Sequence, residues 1–285
     1  MITKIGVVGA GQMGGGIAQV AAASGLDVVL HDITKDRADA GRANIAKGFD
    51  KLVAHKDEKK RIPASDAEAS MKRIVATASY EDFKSCQFVV EAATEREPIK
   101  IEIFQKLDAL LPPDALLASN TSSISITRLA AATKRPERFI GMHFMNPVPV
   151  MKLVEIIRGL ATSDATYAAT IELAKKMGKE TVTSKDQPGF IVNRILMPMI
   201  NEAFYALQEG LATPEDIDAA MKGGTNQPMG PLALADFIGL DTTMYILEVL
   251  QREIGDPKFR PNPLLRKYVE AGWLGKKSGR GVYKY

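Results

Sequence analysis

Short β-branched runs alternate with helical stretches through the first two-thirds of the chain. Apolar runs at residues 4–8, 27–30, 88–91, 116–119, 139–144, 152–156 and 180–183 have the length and composition of strands. Segments with helical spacing separate most of them, which predicts a largely parallel, doubly wound sheet. Residues 35–74 break the rhythm: they are long, charged and helical, with HKDEKKRIP as their tip. They read as a helical excursion made after the second strand and before the run at 88. Beyond DQPGF the strand signals stop. Residues 190–209, 214–221, 232–254 and 263–271 space their apolar positions three and four apart between Gly and Pro punctuation, which predicts four helices. The expected organisation is therefore an α/β domain over residues 1–186 and an all-α domain over residues 187–285.

The bulk numbers narrow the functional classes. Of 285 residues, 46% are apolar, enough to fill two ordinary cores. The balance of 37 basic against 34 acidic residues gives a formal charge of +3, too weak a bias to argue for nucleic acid or membrane binding. A single cysteine, Cys86, permits no internal disulfide and reads as a small core residue. No apolar run approaches the roughly 18 residues that span a bilayer. No targeting pattern precedes the first strand, so a reduced, cytoplasmic setting is expected.

KIGVVGAGQMGGGIAQVAAASG runs from an apolar strand through Gly9-x-Gly11-x-x-Gly14 into an alanine-rich helix. Gly9 serves a tight turn, Gly11 admits a pyrophosphate to the backbone, and Gly14 lets the helix pack closely, while the helix N-terminus offers N–H groups and a favourable dipole. A glycine triplet alone is weak evidence. Here DVVLHD follows, placing Asp32 18 residues past Gly14, where an acid accepts the adenine ribose hydroxyls and repels a 2′-phosphate. The motif thus predicts a Rossmann-type domain with NAD as cofactor in preference to NADP, although Arg37 is close enough in sequence to help hold a phosphate.

HFMNPVPVMKLVEII, residues 143–157, sets a histidine before a Pro-x-Pro corner and one glutamate inside an apolar run. Period-two counting puts Glu155 on the strand face of Leu153 and Ile157, so unless that face is wet the charge needs a partner. The proline corner can turn the chain back and bring His143 to it. A free imidazole titrates near ~6.5 and passes protons either way, and a carboxylate on one ring nitrogen fixes the tautomer and stabilises the imidazolium. The bland alternative is a core histidine bonded to backbone and a glutamate on a wet edge strand. His31 and His55 are less well placed, one before the ribose acid and the other in the charged excursion.

The strings GAGQMGGGIA, SNTSSISI, HFMNPVPVMKLVEII, KDQPGFIVNR, PMGPLALADFIGLD and GKKSGRGVYKY together resemble the L-3-hydroxyacyl-CoA dehydrogenase family, in particular its short bacterial members that act on 3-hydroxybutyryl-CoA. The likeness covers essentially the whole chain. It implies reversible NAD-linked oxidation of an (S)-3-hydroxyacyl-CoA and a homodimer built through the helical domain. It also implies a catalytic His143–Glu155 pair, and Ser122 and Asn193 as groups that orient the substrate. Unaided, Ser122 reads equally as a helix cap. The resemblance extends the cofactor contacts from Gly9, Gly11, Gln12, Met13, Gly14 and Asp32 to Glu95, Lys100, Asn146 and Lys277, although Glu95 and Lys100 alone read as a solvated helix start. It further implies that the excursion meets coenzyme A, with Lys51 and Lys56 as candidates, where a plain exposed basic face is the competing reading. No metal is expected.

Overall fold

The computed structural model describes residues 2–285. It divides into two compact units, residues 1–187 and 188–285. In the first, eight strands form one sheet in the order β3-β2-β1-β4-β5-β6-β7-β8. They are β1 Lys4–Val8, β2 Asp27–His31, β3 Ile74–Thr77, β4 Phe88–Glu91, β5 Leu116–Ser119, β6 Phe139–Phe144, β7 Leu153–Arg158 and β8 Glu180–Lys185. Every neighbouring pair is parallel except β6 with β7. The helices are α1 Gln12–Ala23, α2 Lys35–Val53, α3 Ala64–Lys72, α4 Glu97–Leu110, α5 Ile126–Ala131 and α6 Asp164–Lys176. The central strands are buried on both faces, Ile5, Val7, Val28, Leu30, Phe88 and Val90 joining Ile17 and Ala21 of α1 in one core, as a covered parallel sheet requires.

The topology sets the position of any ligand. From β1 the chain runs outward to β2 and β3 and then returns to β4 on the other side of β1, so the carboxyl ends of β1 and β4 flank a switch point where α/β sheets open a crevice.

Three expectations are corrected. The excursion is two helices rather than one stretch, broken around Pro63, and it ends in a strand that pairs with β2 at the sheet edge. That strand, β3, has only four residues and leaves Val75 57% exposed, so it lacks the apolar run that marks its neighbours. In the second unit, residues 232–254 are two helices rather than one, because Gly239 at φ +104° lies outside helical geometry. The helices are thus five: α7 Val192–Gln208, α8 Pro214–Thr225, α9 Pro231–Ile238, α10 Leu240–Ile254 and α11 Pro263–Glu270. They close around Ile200, Phe204, Leu232, Leu247 and Leu250. The C-terminal segment is tied to α9 by Asp236, whose carboxylate accepts from the Val282 and Tyr283 N–H groups at 2.9 Å.

Candidate active site

The turn between β1 and α1 is dictated by what a side chain would strike. Gly9 adopts φ +100°, and a Cβ there would lie 2.6 Å from the Ala92 carbonyl oxygen. At Gly14 it would lie 1.8 Å from the Gly9 carbonyl oxygen, while at Gly11 it would meet nothing within 4 Å. Gly11 is also the N-cap of α1 and provides no side-chain cap, so the helix start keeps its orphan N–H groups for an anion. Asp32 follows β2 and closes the turn by accepting from the Ala10 N–H at 2.9 Å. Gln12 Nε2 donates to Asn146 Oδ1 at 2.9 Å, joining the helix start to the proline corner. A cavity of about 360 Å³ opens there, lined by Gly11, Gln12, Gly15, Gly16, Asn146 and Pro147. Met13 is half-buried behind the turn. An uncapped helix start beside an acid just past the second strand suits a dinucleotide, for whose phosphates α1 and for whose adenine ribose Asp32 are the matching groups.

Glu95 and Lys100 are not a solvated helix start. Lys100 is 1% exposed, and its ammonium lies 2.7 and 2.8 Å from the two oxygens of Glu91 and 3.4 Å from Glu95 Oε2. Glu95 Oε1 accepts from Thr121 Oγ1 at 2.6 Å and from the Ser122 N–H and hydroxyl at 2.8 and 3.1 Å. Burial pushes the Glu95 carboxyl up, but the Lys100 charge and the Thr121 and Ser122 hydrogen bonds together bring it below the usual range. The cap of α5 is Ser125, so Ser122 does not serve as one. Sequence reasoning missed Glu91, although it carries the signal that exposed Glu155: a carboxylate closing the apolar run FVVE.

The β6–β7 hairpin pairs His143 directly opposite Glu155 in antiparallel register. His143 Nδ1 and Glu155 Oε2 are 2.7 Å apart, with Glu155 fully buried and His143 8% exposed. β7 lies between β6 and β8, which removes the wet-edge alternative. A carboxylate accepts only, so an Nδ1–H donates to Glu155 and Nε2 is the ring nitrogen outside the pair. The linking corner packs on α1, where a Cβ at Gly16 would lie 2.8 Å from Val148 Cβ.

Of the remaining candidates, two belong to the second unit and two to α2 and the loop after it. Asn193 is buried in the first turn of α7, within the second unit. In that unit too, Lys277 lies 2.8 Å from Asp241 Oδ2. Lys51 and Lys56 are exposed at and just beyond the end of α2. Among the described residues no group of three or more His, Cys, Asp or Glu is arranged to hold a metal, and no helix is long and apolar enough to cross a membrane.

A nucleotide cradle at a switch point, with a histidine–carboxylate pair on β6 and β7 of the same sheet, is the architecture of a nicotinamide-dinucleotide dehydrogenase. Residues 4–187 match the family model for the 3-hydroxyacyl-CoA dehydrogenase NAD binding domain, and residues 189–285 match that for the family's C-terminal domain. The chain is 56% identical to a 3-hydroxybutyryl-CoA dehydrogenase from Bradyrhizobium diazoefficiens, over all of this chain and 96% of the relative. It is 55% identical to a probable 3-hydroxybutyryl-CoA dehydrogenase from Bacillus subtilis, over 100% and 98% of the two chains. The crystal structure of (S)-3-hydroxybutyryl-CoA dehydrogenase PaaH1 from Ralstonia eutropha superposes with a TM-score of 0.95 at 53% identity, covering 100% of this chain and 99% of that one. The chain belongs to the 3-hydroxyacyl-CoA dehydrogenase family and is an NAD-dependent oxidoreductase.

Proposed function

We propose that the protein catalyses the reversible NAD-linked oxidation of (S)-3-hydroxyacyl-CoA, 3-hydroxybutyryl-CoA in particular, to the 3-ketoacyl-CoA. The observation that carries this reading is the buried His143–Glu155 pair at 2.7 Å. NAD, when bound, accepts the hydride from C3 of the substrate. His143 takes the hydroxyl proton at Nε2 and returns it in the reverse direction, while Glu155 holds Nδ1–H and balances the imidazolium charge. Ser122 and Asn193 orient the substrate oxygens by hydrogen bonding. The orphan N–H groups of α1, with Asp32, Asn146 and Lys277, hold the cofactor, and Lys51 and Lys56 meet coenzyme A. The protein acts in the cytoplasm as a homodimer joined through residues 187–285, a reading supported by large apolar side chains left exposed there, among them Ile195 and Leu211.

The test is the initial rate of acetoacetyl-CoA-dependent NADH oxidation by the wild type and by His143→Ala. Loss of a general acid–base group typically costs about 10²- to 10⁴-fold, so the variant should bind NADH normally and lose at least the lower factor in kcat. Near-normal turnover would remove His143 from this role. Equal turnover of free 3-keto acids would instead favour a hydroxyacid dehydrogenase.

A further inference from the structure

Glu91 is fully buried at the carboxyl end of β4, on the switch point, and the chemistry above gives it no task. Its surroundings consist of donors. Both oxygens receive the Lys100 ammonium, Oε1 also receives the Ala93 N–H at 2.7 Å, and Oε2 receives the Ser119 hydroxyl at 2.7 Å. Two chains of hydrogen bonds lead from it to the same place. Ser119 Oγ accepts from the Thr121 N–H at 3.2 Å. Lys100 lies between Glu91 and Glu95, and Glu95 Oε1 gathers the Thr121 hydroxyl, both Ser122 donors and the Ser123 N–H.

We propose that Glu91 is a positioning residue: by engaging Lys100 and Ser119 it keeps Glu95 on the Thr121–Ser123 turn and so sets the direction of the Ser122 hydroxyl. The inference rests on Ser122 orienting the substrate. Lys100 has two carboxylates within reach and sits closer to Glu91 than to Glu95. With the cation drawn toward Glu91, Glu95 Oε1 receives the donors of the turn. A glutamine at residue 91 cannot hold the cation there. Because the ammonium bridges both oxygens, the amide NH₂ faces it in either orientation, donor against donor. The ammonium then shifts to Glu95 and draws that carboxylate away from Ser122.

The test is a double-mutant cycle with Glu91→Gln and Ser122→Ala on kcat for (S)-3-hydroxybutyryl-CoA oxidation, in which the Ser122 hydroxyl donates to Glu95 and accepts from the substrate hydroxyl, together with melting temperatures. Disturbing a charge-assisted hydrogen bond is expected to cost about tenfold in kcat for Glu91→Gln. In the Ser122→Ala background the same change should cost less than about twofold, since groups acting through one another are not additive. A purely structural Glu91 would lower the melting temperature and leave the kcat of the folded enzyme unchanged. That result, or a full tenfold loss persisting in the Ser122→Ala background, overturns the proposal, as does a Ser122→Ala enzyme with wild-type kcat. Should Glu91→Gln not fold, Ser119→Ala replaces it in the cycle, with a smaller loss that Ser122→Ala again absorbs. Failure of the acid–base reading is distinguishable: it would appear in His143→Ala, which has no place in this cycle.

Discussion

The buried acidic residues Glu91, Glu155 and Asp236 each meet matching hydrogen-bond partners. Glu91 and Lys100 answer each other, Glu155 answers His143, and Asp236 answers the backbone of the C-terminal segment. His31 is the contrasting case. The residue is 2% exposed, its ring tilted against Tyr80 and Phe83 with centroids 4.3 and 5.8 Å away. Burial lowers its pKa with some help from Lys106, against the opposing pull of the Ala78 backbone hydrogen bond, Asp32 and Asp82. The folded state therefore resists a proton that the unfolded chain accepts near about pH 6.5. Stability from this group is fully present above that pH and is lost as the pH falls through the lowered folded value. Replacing His31 with Phe keeps the aromatic packing and should flatten the acid side of the stability curve below about pH 6.5, as read from urea midpoints. An unchanged slope would show that His31 does not contribute. Cys86 is buried too, its thiol pushed up to about 12 by desolvation, which makes it inert packing rather than a nucleophile.

At the scale of elements, legibility followed the length of the local signal. The β1–α1 turn was readable because three glycines fall within six residues between a strand and a helix, and at Gly9 and Gly14 a side chain would strike backbone. The β6–β7 pairing was readable because a lone charge in an apolar strand forces the question of its partner. β3 was not readable, since a four-residue edge strand buried only at its two ends has neither a continuous apolar run nor enough repeats to show a period. The break at Gly239 was missed because apolar spacing continues on both sides of it, and only the backbone angle separates α9 from α10. The Glu95–Lys100 cluster misled for a different reason. Charged residues at a helix start are usually solvated, and burial here arises from Glu91 and Ser119 on β4 and β5, whose proximity only the folded sheet creates. The side chains at the switch point were therefore less legible than the glycine turn beside them.

At the scale of the whole molecule, each of the two units encloses its own core, and the family models divide the chain at nearly the same place. The helical unit leaves Ile195 68%, Leu211 77% and Phe237 44% exposed, side chains available to the homodimer proposed above. Sedimentation at micromolar concentration should give the mass of two chains, and a monomeric mass would contradict the homodimer. The central claim is narrower, that His143 and Glu155 act as one coupled acid–base unit. It is tested most directly by the pH dependence of kcat/KM for (S)-3-hydroxybutyryl-CoA oxidation in the wild type and in Glu155→Gln. Without its counter-charge the imidazolium is less stable, so the variant should be slower by about tenfold or more and its rising acid limb should move to lower pH. Profiles that superimpose in height and position would contradict the account.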